Sequence, residues 1–272
     1  MVLIAVLWIV AALSLMATGI AQSMRQEARA VSSERQDVAA AASGDAAIYL
    51  VLQDLVSRPV KPVGLVTVSL EFLGAPIAVQ VLPLNGLIDI NNAPEALMAR
   101  LYAVAGGLPP AVAEALARKT GEVRAQRDER GRQMGFESTE DLLRVPGVGY
   151  DLYANIKSLV TADVQAGGRV NPLAAPLGVL RVLADGNADR AATIAAARDD
   201  GRQDVDTTAL NAAFVDRGAS TRFRLQARVP LPDGGWLLVS RTVDMSDDGR
   251  AGLPWRTIHT GRRVEIAADR GF

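Results

Sequence analysis

The sequence predicts an α+β fold: a long N-terminal helix, then an antiparallel sheet interrupted by a large helical insertion. Three observations predict it. Residues 1–57 read as one helix, apolar in its first part and amphipathic in its second. Two hairpin signals stand far apart, over residues 63–84 and 221–245. Between them the pattern is helical and is punctuated by Pro and Gly turns.

Bulk properties narrow the function. A chain of 272 residues with 49% hydrophobic residues can bury a sizeable core. Lys+Arg 29 against Asp+Glu 30 leaves a net charge of -1, so no global field draws the chain to nucleic acid or to an anionic bilayer. The absence of cysteine excludes disulfides, thiolate metal sites and cysteine nucleophiles. A lone histidine, His259, excludes multi-histidine metal sites, and 4% aromatic content makes stacking platforms sparse. No nucleophile elbow, phosphate loop or histidine metal pair is present, so no enzymatic activity is expected.

Residues 1–21 carry no charge, and roughly 20 apolar residues cover the ~30 Å hydrocarbon core of a bilayer. A buried globular helix of this length would carry a polar face. A cleaved export signal has its small residues at Gly19 and Ala21, yet it lacks a basic start. The nearest cations, Arg25 and Arg29, follow the span, which by the positive-inside rule would leave the large domain in the cytoplasm. Basic residues upstream of Met1 are therefore expected. Residues 22–58 continue the helix, with Val31, Val38, Ala42, Ile48, Leu52 and Leu55 at near-helical spacing.

A helix that is first apolar and then amphipathic, followed by strands, is the plan of type IV pilins and pseudopilins. The opening Met1-Val2-Leu3-Ile4-Ala5-Val6-Leu7-Trp8-Ile9-Val10 resembles the mature start of K-type minor pseudopilins of type II secretion. That resemblance implies a basic leader ending in glycine. It also implies that Leu3, Ile4, Ala5, Val6, Leu7, Trp8 and Ile9 pack in the membrane and in the pseudopilus. Ala5 stands where other pilins carry a glutamate that neutralises a neighbour's terminal amine inside an apolar filament core. A subunit with alanine there offers no carboxylate to a neighbour above it, which suits the tip position attributed to the K family.

Residues 59–84 supply the first strands: VGLVTVSLEF and IAVQVLPL, parted by Gly74 and Pro76. Residues 85–215 form the expected insertion. Asn91-Asn92-Ala93-Pro94-Glu95 reads as a polar cap with proline in the first helical turn, and Gly106-Gly107 ends that helix. A second helix is expected from Pro110 to about Lys119, then a charged stretch from Glu122 to Arg132 that reads as a solvated helix or loop. The run from Gly135 and Phe136 through Leu142 to Pro146-Gly147-Val148-Gly149, followed by Leu152, Ile156 and Leu159, reads as a helix-hairpin-helix with Ser138 or Thr139 as its cap. Together with Ile88, Asn91, Ala93 and Pro94 it resembles the paired-hairpin, SAM-like domain of the K pseudopilins. A weaker echo begins at Val170-Asn171-Pro172.

The same residues also resemble membrane-tethered competence DNA receptors, whose glycine-rich turns present backbone N–H groups to phosphates. Phosphate binding needs a basic surround. Here Arg118, Arg124, Arg127, Arg144 and Lys157 are offset by Glu114, Glu122, Glu137, Glu140 and Asp151, so a packing scaffold without nucleic acid is expected.

Residues 216–272 return to strands: TRFRLQARVPL, the Asp233-Gly234-Gly235 turn, WLLVSRTVDM, and an edge over 258–266. Asp244, Asp247 and Asp248 with Gly249 offer hard oxygens for Ca2+ but not the spacing of a calcium loop, so a polar turn is the expected reading and no cofactor is assigned. The family implies I-, J- and H-type minor pseudopilins as partners, secreted cargo or the outer-membrane channel at the tip, and a single inner-membrane span with the large domain in the periplasm.

Overall fold

The computed structural model describes residue 8 and residues 31–265, except 33, 128, 164–166, 203, 233 and 247–253. Helix α1 runs over Glu34–Ser57 and is long and apolar enough, by length and composition, to cross a membrane. The span expected over 1–21 lies outside the described residues apart from Trp8, which is helical and exposed.

Among the described residues seven strands follow. Strands β1 (Val66–Phe72), β2 (Ala75–Pro83), β5 (Arg222–Pro230), β6 (Trp236–Asp244) and β7 (Arg256–Glu265) form one antiparallel sheet in the order β1-β2-β5-β6-β7. Leu73 and Gly74 make the β1–β2 turn, both at positive φ (52 and 77), a geometry whose twist matches that of paired strands. Alternation then assigns the faces. Ile77, Val79, Val81, Phe223, Leu225, Ala227, Val229, Leu237 and Val239 point to one core, which α1 closes with Ala41, Ala47, Ile48, Val51, Leu52 and Leu55.

Gly44 lets that helix come close. A Cβ built there would lie 2.7 Å from Val239 Cγ2 and 3.1 Å from Val229 Cγ2. Gly44→Leu is therefore expected to overpack the helix–sheet seam at a cost of about 1–3 kcal/mol. Urea unfolding checks it, and an unchanged midpoint would contradict the close contact.

Between β2 and β5 lies a helical block with a second core. Its elements are β3 (Ile88–Asp89), α2 (Glu95–Arg100), α3 (Pro110–Arg124), a 3-10 turn (Thr139–Arg144), α4 (Tyr150–Ile156), β4 (Val160–Thr161), α5 (Leu177–Leu183) and α6 (Ala188–Asp199). Strands β3 and β4 pair in parallel, Ile88 with Val160 and Asp89 with Thr161, and so tie the start of the block to the end of its helical hairpin.

Several local expectations shift. Pro94 occupies the N-cap itself rather than the first turn, and its carbonyl accepts from Leu97 N–H (2.9 Å) and Met98 N–H (3.1 Å). Pro109 and Pro176 start α3 and α5 in the same extended conformation, because a proline's fixed φ suits the residue that turns into a helix. Helix α2 widens into a π-turn over Leu101–Ala105 and then ends at its glycines as expected, with Gly106 as the C-cap and Gly107 at φ 70 reversing the chain. The wider turn carries Tyr102, whose buried hydroxyl meets Thr120 Oγ1 at 2.8 Å and whose pKa burial pushes up to about 12. Helix α3 continues past Lys119 to Arg124, so the charged stretch begins inside a helix. Helix α6 appears where the sequence reading names no element. It is Ala-rich and capped by Asn187, whose side chain accepts from Arg190 N–H at 3.0 Å.

Candidate assembly surface and the motif that shapes the insertion

Helix α1 presents two apolar stripes. Its buried stripe begins at Ala41 and repeats at three- and four-residue spacing to Leu55, while residues 34–39 are all exposed. The helix therefore projects beyond the sheet at its N-terminal end. At 3.6 residues per turn, Val31, Val38, Ala42 and Tyr49 fall within roughly 20° of one line, about 110° around from the buried stripe. All four are exposed. The sequence reading merges Val31, Val38 and Ala42 with Ile48, Leu52 and Leu55 as one face; only the last three are buried.

The exposed stripe is held in register by its flank. Tyr49 packs 6.3 Å from Trp255, and the Arg241 guanidinium sits 5.0 Å from the Tyr49 ring. Asp45 pairs with Arg241 at 3.0 Å and with Arg262 at 3.1 Å, joining α1 to β6 and β7. The helix is thus fixed to the sheet at Asp45 and Tyr49, and the apolar line is left without a partner in this chain at its N-terminal part, Val31, Val38 and Ala42.

In the insertion, Asn91 acts as a clamp rather than a helix cap. Its Oδ1 accepts from Phe136 N–H at 2.7 Å, and its Nδ2 donates to Phe136 O at 2.9 Å and to Ala162 O at 3.3 Å. An asparagine side chain matches a peptide group's donor and acceptor, so one residue substitutes for a strand. Asp89 bends the chain into this position: its carboxylate accepts from Asn91 N–H (2.9 Å) and from Asn92 Nδ2 (2.6 Å). Burial pushes the Asp89 carboxyl above its ordinary pKa, against the pull of those bonds. Ile88 and Ala93 are fully buried, and the Ala93 carbonyl accepts from Arg124 Nη1 at 2.7 Å.

Leu142 fills the core beneath the 3-10 turn, and the Asp141 carboxylate accepts from the N–H groups of Glu137 (2.8 Å) and Ser138 (3.1 Å) to start that turn. Pro146, Gly147 and Gly149 lie exposed on the hairpin turn, with Gly147 at φ 108, while Val145 and Val148 plug the core on either side. The motif residues thus meet as one packed unit whose turn faces solvent.

A second asparagine, present in the sequence as the weak echo, joins the insertion to the sheet. Asn171 is fully buried; its Nδ2 donates to Val63 O (2.8 Å) and Gly218 O (3.4 Å), and its Oδ1 accepts from Leu173 N–H (3.0 Å). Asn85 donates to the same Gly218 carbonyl at 2.7 Å. An asparagine before a proline in an apolar run is the signal that could have found it.

Of the acidic residues weighed for Ca2+ and read as a polar turn, Asp247 and Asp248, with Gly249, lie outside the described residues. Asp244 is engaged by Arg222 at 2.8 Å and by Ser246 Oγ at 2.6 Å. Burial pushes its carboxyl up, but the bonds from Ser246 and Arg222 outweigh it and hold the pKa low. Among the described residues no group of three acidic, His or Cys side chains is placed to hold a metal. Leu3, Ile4, Ala5, Val6, Leu7 and Ile9 also lie outside the described residues.

No protein-family model matches the chain, and no curated protein matches it. Among solved structures, the chain is similar to one chain of the GspK-GspI-GspJ complex from the enterotoxigenic Escherichia coli Type 2 Secretion System. The TM-score is 0.52 at 15% identity, over 87% of this chain and 99% of that one. The likeness shows a shared fold, a pseudopilin-like α+β plan over nearly the whole of both chains.

Proposed function

We propose that this chain is a K-type minor pseudopilin of a type II secretion system, built into the pseudopilus tip through its N-terminal helix. The observation that carries the reading is the second apolar stripe of α1, which remains exposed on a helix already anchored to its own sheet. A monomer gains nothing by leaving such a line in water, whereas helices packed side by side would bury it. The shared fold with a chain of a secretion-system complex supports the same reading, as does the apolar run at residues 1–21.

In this proposal the chain is a structural subunit and not an enzyme. Residues 1–21 sit in the inner membrane, 22–58 pack against I-, J- and H-type partners, and the sheet of 59–84 and 216–272 stands in the periplasm. The insertion, 85–215, caps the tip toward cargo or the outer-membrane channel. Ala5 offers no carboxylate to a subunit above, as a terminal position requires.

Co-purification of the full chain with the three partner types tests the reading. Val38→Asp removes apolar contact and puts a charge in the helix seam, so association is expected to fall at least about tenfold, a difference of 1.4 kcal/mol or more. Ala5→Glu is expected to leave association unchanged or weaker. Unimpaired assembly in Val38→Asp would sink the stripe as an interface, and stronger assembly in Ala5→Glu would place the subunit within the shaft.

A further inference from the structure

The sheet face turned away from α1 is polar where it meets the insertion. Cross-strand register puts Leu82, Arg224, Thr242 and His259 in one row over β2, β5, β6 and β7, with Gln80, Gln226, Ser240 and Gly261 in the next. The 3-10 turn of the insertion, with Ser138 and Thr139, forms the facing wall. Between them lies a cavity of about 280 Å3.

Most charges around this cavity are already spoken for. Asp163 Oδ1 lies 3.1 Å from His259 Nε2, and the Asp163 carbonyl accepts from Arg222 Nη1. Arg222 itself pairs with Asp244. Glu140 accepts from Thr139 Oγ1 at 3.2 Å, and Thr139 Oγ1 lies 3.2 Å from the Tyr153 hydroxyl. Arg224 differs. Among the described residues it makes no hydrogen bond and no ion pair of its own, although it is partly buried and lines the cavity. Burial depresses its pKa, and the more distant Asp163 charge only partly opposes that. Its guanidinium nitrogens are not shut off from solvent, so its donors meet the water of the cavity and are free for an anion to take.

We propose that this cavity binds a carboxylate group, gripped by the Arg224 guanidinium and flanked by the hydroxyls of Ser240 and Thr242. The planar fork of arginine matches the two oxygens of a carboxylate. Glu140 and Asp163 in the wall oppose a multiply charged guest, so a monoanion fits better than a phosphate. The group is an acidic side chain or a small free acid, and the inference does not depend on the assembly reading.

Acetate is the probe. The full chain in detergent is melted in rising acetate and, separately, in chloride at equal ionic strength. Acetate is expected to raise the melting temperature above chloride in a saturating way, as mass action requires. In Arg224→Gln the affinity is expected to fall roughly tenfold or more, the scale of a lost charge-assisted pair. Arg224→Lys keeps the charge and loses the fork; it should bind several-fold more weakly than wild type, and it carries the test if the glutamine variant does not fold. Equal stabilisation of wild type and Arg224→Lys, or no gain over chloride, would overturn the site. A second arm identifies the source: if acetate and Arg224→Lys both reduce co-purification with I- and J-type partners, the carboxylate is a partner's side chain. Acetate binding with unchanged co-purification assigns a free small acid.

Discussion

Gly168→Ala is expected to cost more than about 4 kcal/mol, a large share of the 5–15 kcal/mol that holds a domain together. Gly168 is buried at φ 73, and a Cβ there would lie 1.9 Å from the Asn92 carbonyl oxygen and 2.5 Å from its carbon. The left-handed conformation alone costs an alanine about 1–2 kcal/mol. The larger part is the collision, because the opposing backbone has nowhere to go. Asn92 Nδ2 is bound to Asp89 at 2.6 Å, and the Asp89 carbonyl holds Ala93 N–H at 2.8 Å. Gly131 provides the control: its φ of 77 is close to that of Gly168, and nothing lies within 4 Å of its Cβ position. Urea unfolding of both alanine variants separates conformation from contact. Equal losses would mean that the Asn92 turn yields freely, and the clamp built on it would then not be rigid.

The second large effect is expected at Asn171. Asn171→Ala strands the Leu173 N–H and the Val63 carbonyl in a fully buried site and removes a donor to Gly218, for a loss of about 2–4 kcal/mol. Asn171→Asp keeps the acceptor for Leu173 but turns a carboxylate oxygen toward two carbonyls, so it should be no better than alanine. Amide exchange at Leu173 together with unfolding midpoints reports both. An aspartate variant as stable as wild type would show that the Val63 and Gly218 bonds contribute little.

The strands were legible because half-buried strands alternate with period two: the hairpins expected over 63–84 and 221–245 coincide with β1–β2 and β5–β6. Elements that owe their existence to distant partners were not. Strands β3 and β4 are two residues each and exist only through pairing with one another. The α1 stripes were read as one because spacing along a helix reveals that residues share periodicity but not which of two neighbouring lines meets the sheet. Asn91 before Pro94 carries the local pattern of a cap; its true partner, Phe136, lies 45 positions away. Arg224 alternates like any strand residue, and its place beside a cavity arises only when the insertion, with Asp163 held by His259 at 3.1 Å, packs over the sheet.

The break in the sheet also bears on how fast the chain can fold. Strands β2 and β5 are hydrogen-bonded neighbours, yet Asn85 and Gly218, which close the insertion beside them, are 133 positions apart. Closing a flexible loop of that length before any pairing compensates it is slow, and the penalty grows with sequence separation. An insertion that collapses first around its own core brings its two ends together and hands the sheet a short effective loop. The refolding rate of the five-stranded sheet is then set by helices that contribute no strand to it. Weakening Asn171 at the neck should slow the appearance of the sheet as well as destabilise it, making the insertion a timer for the domain that carries it.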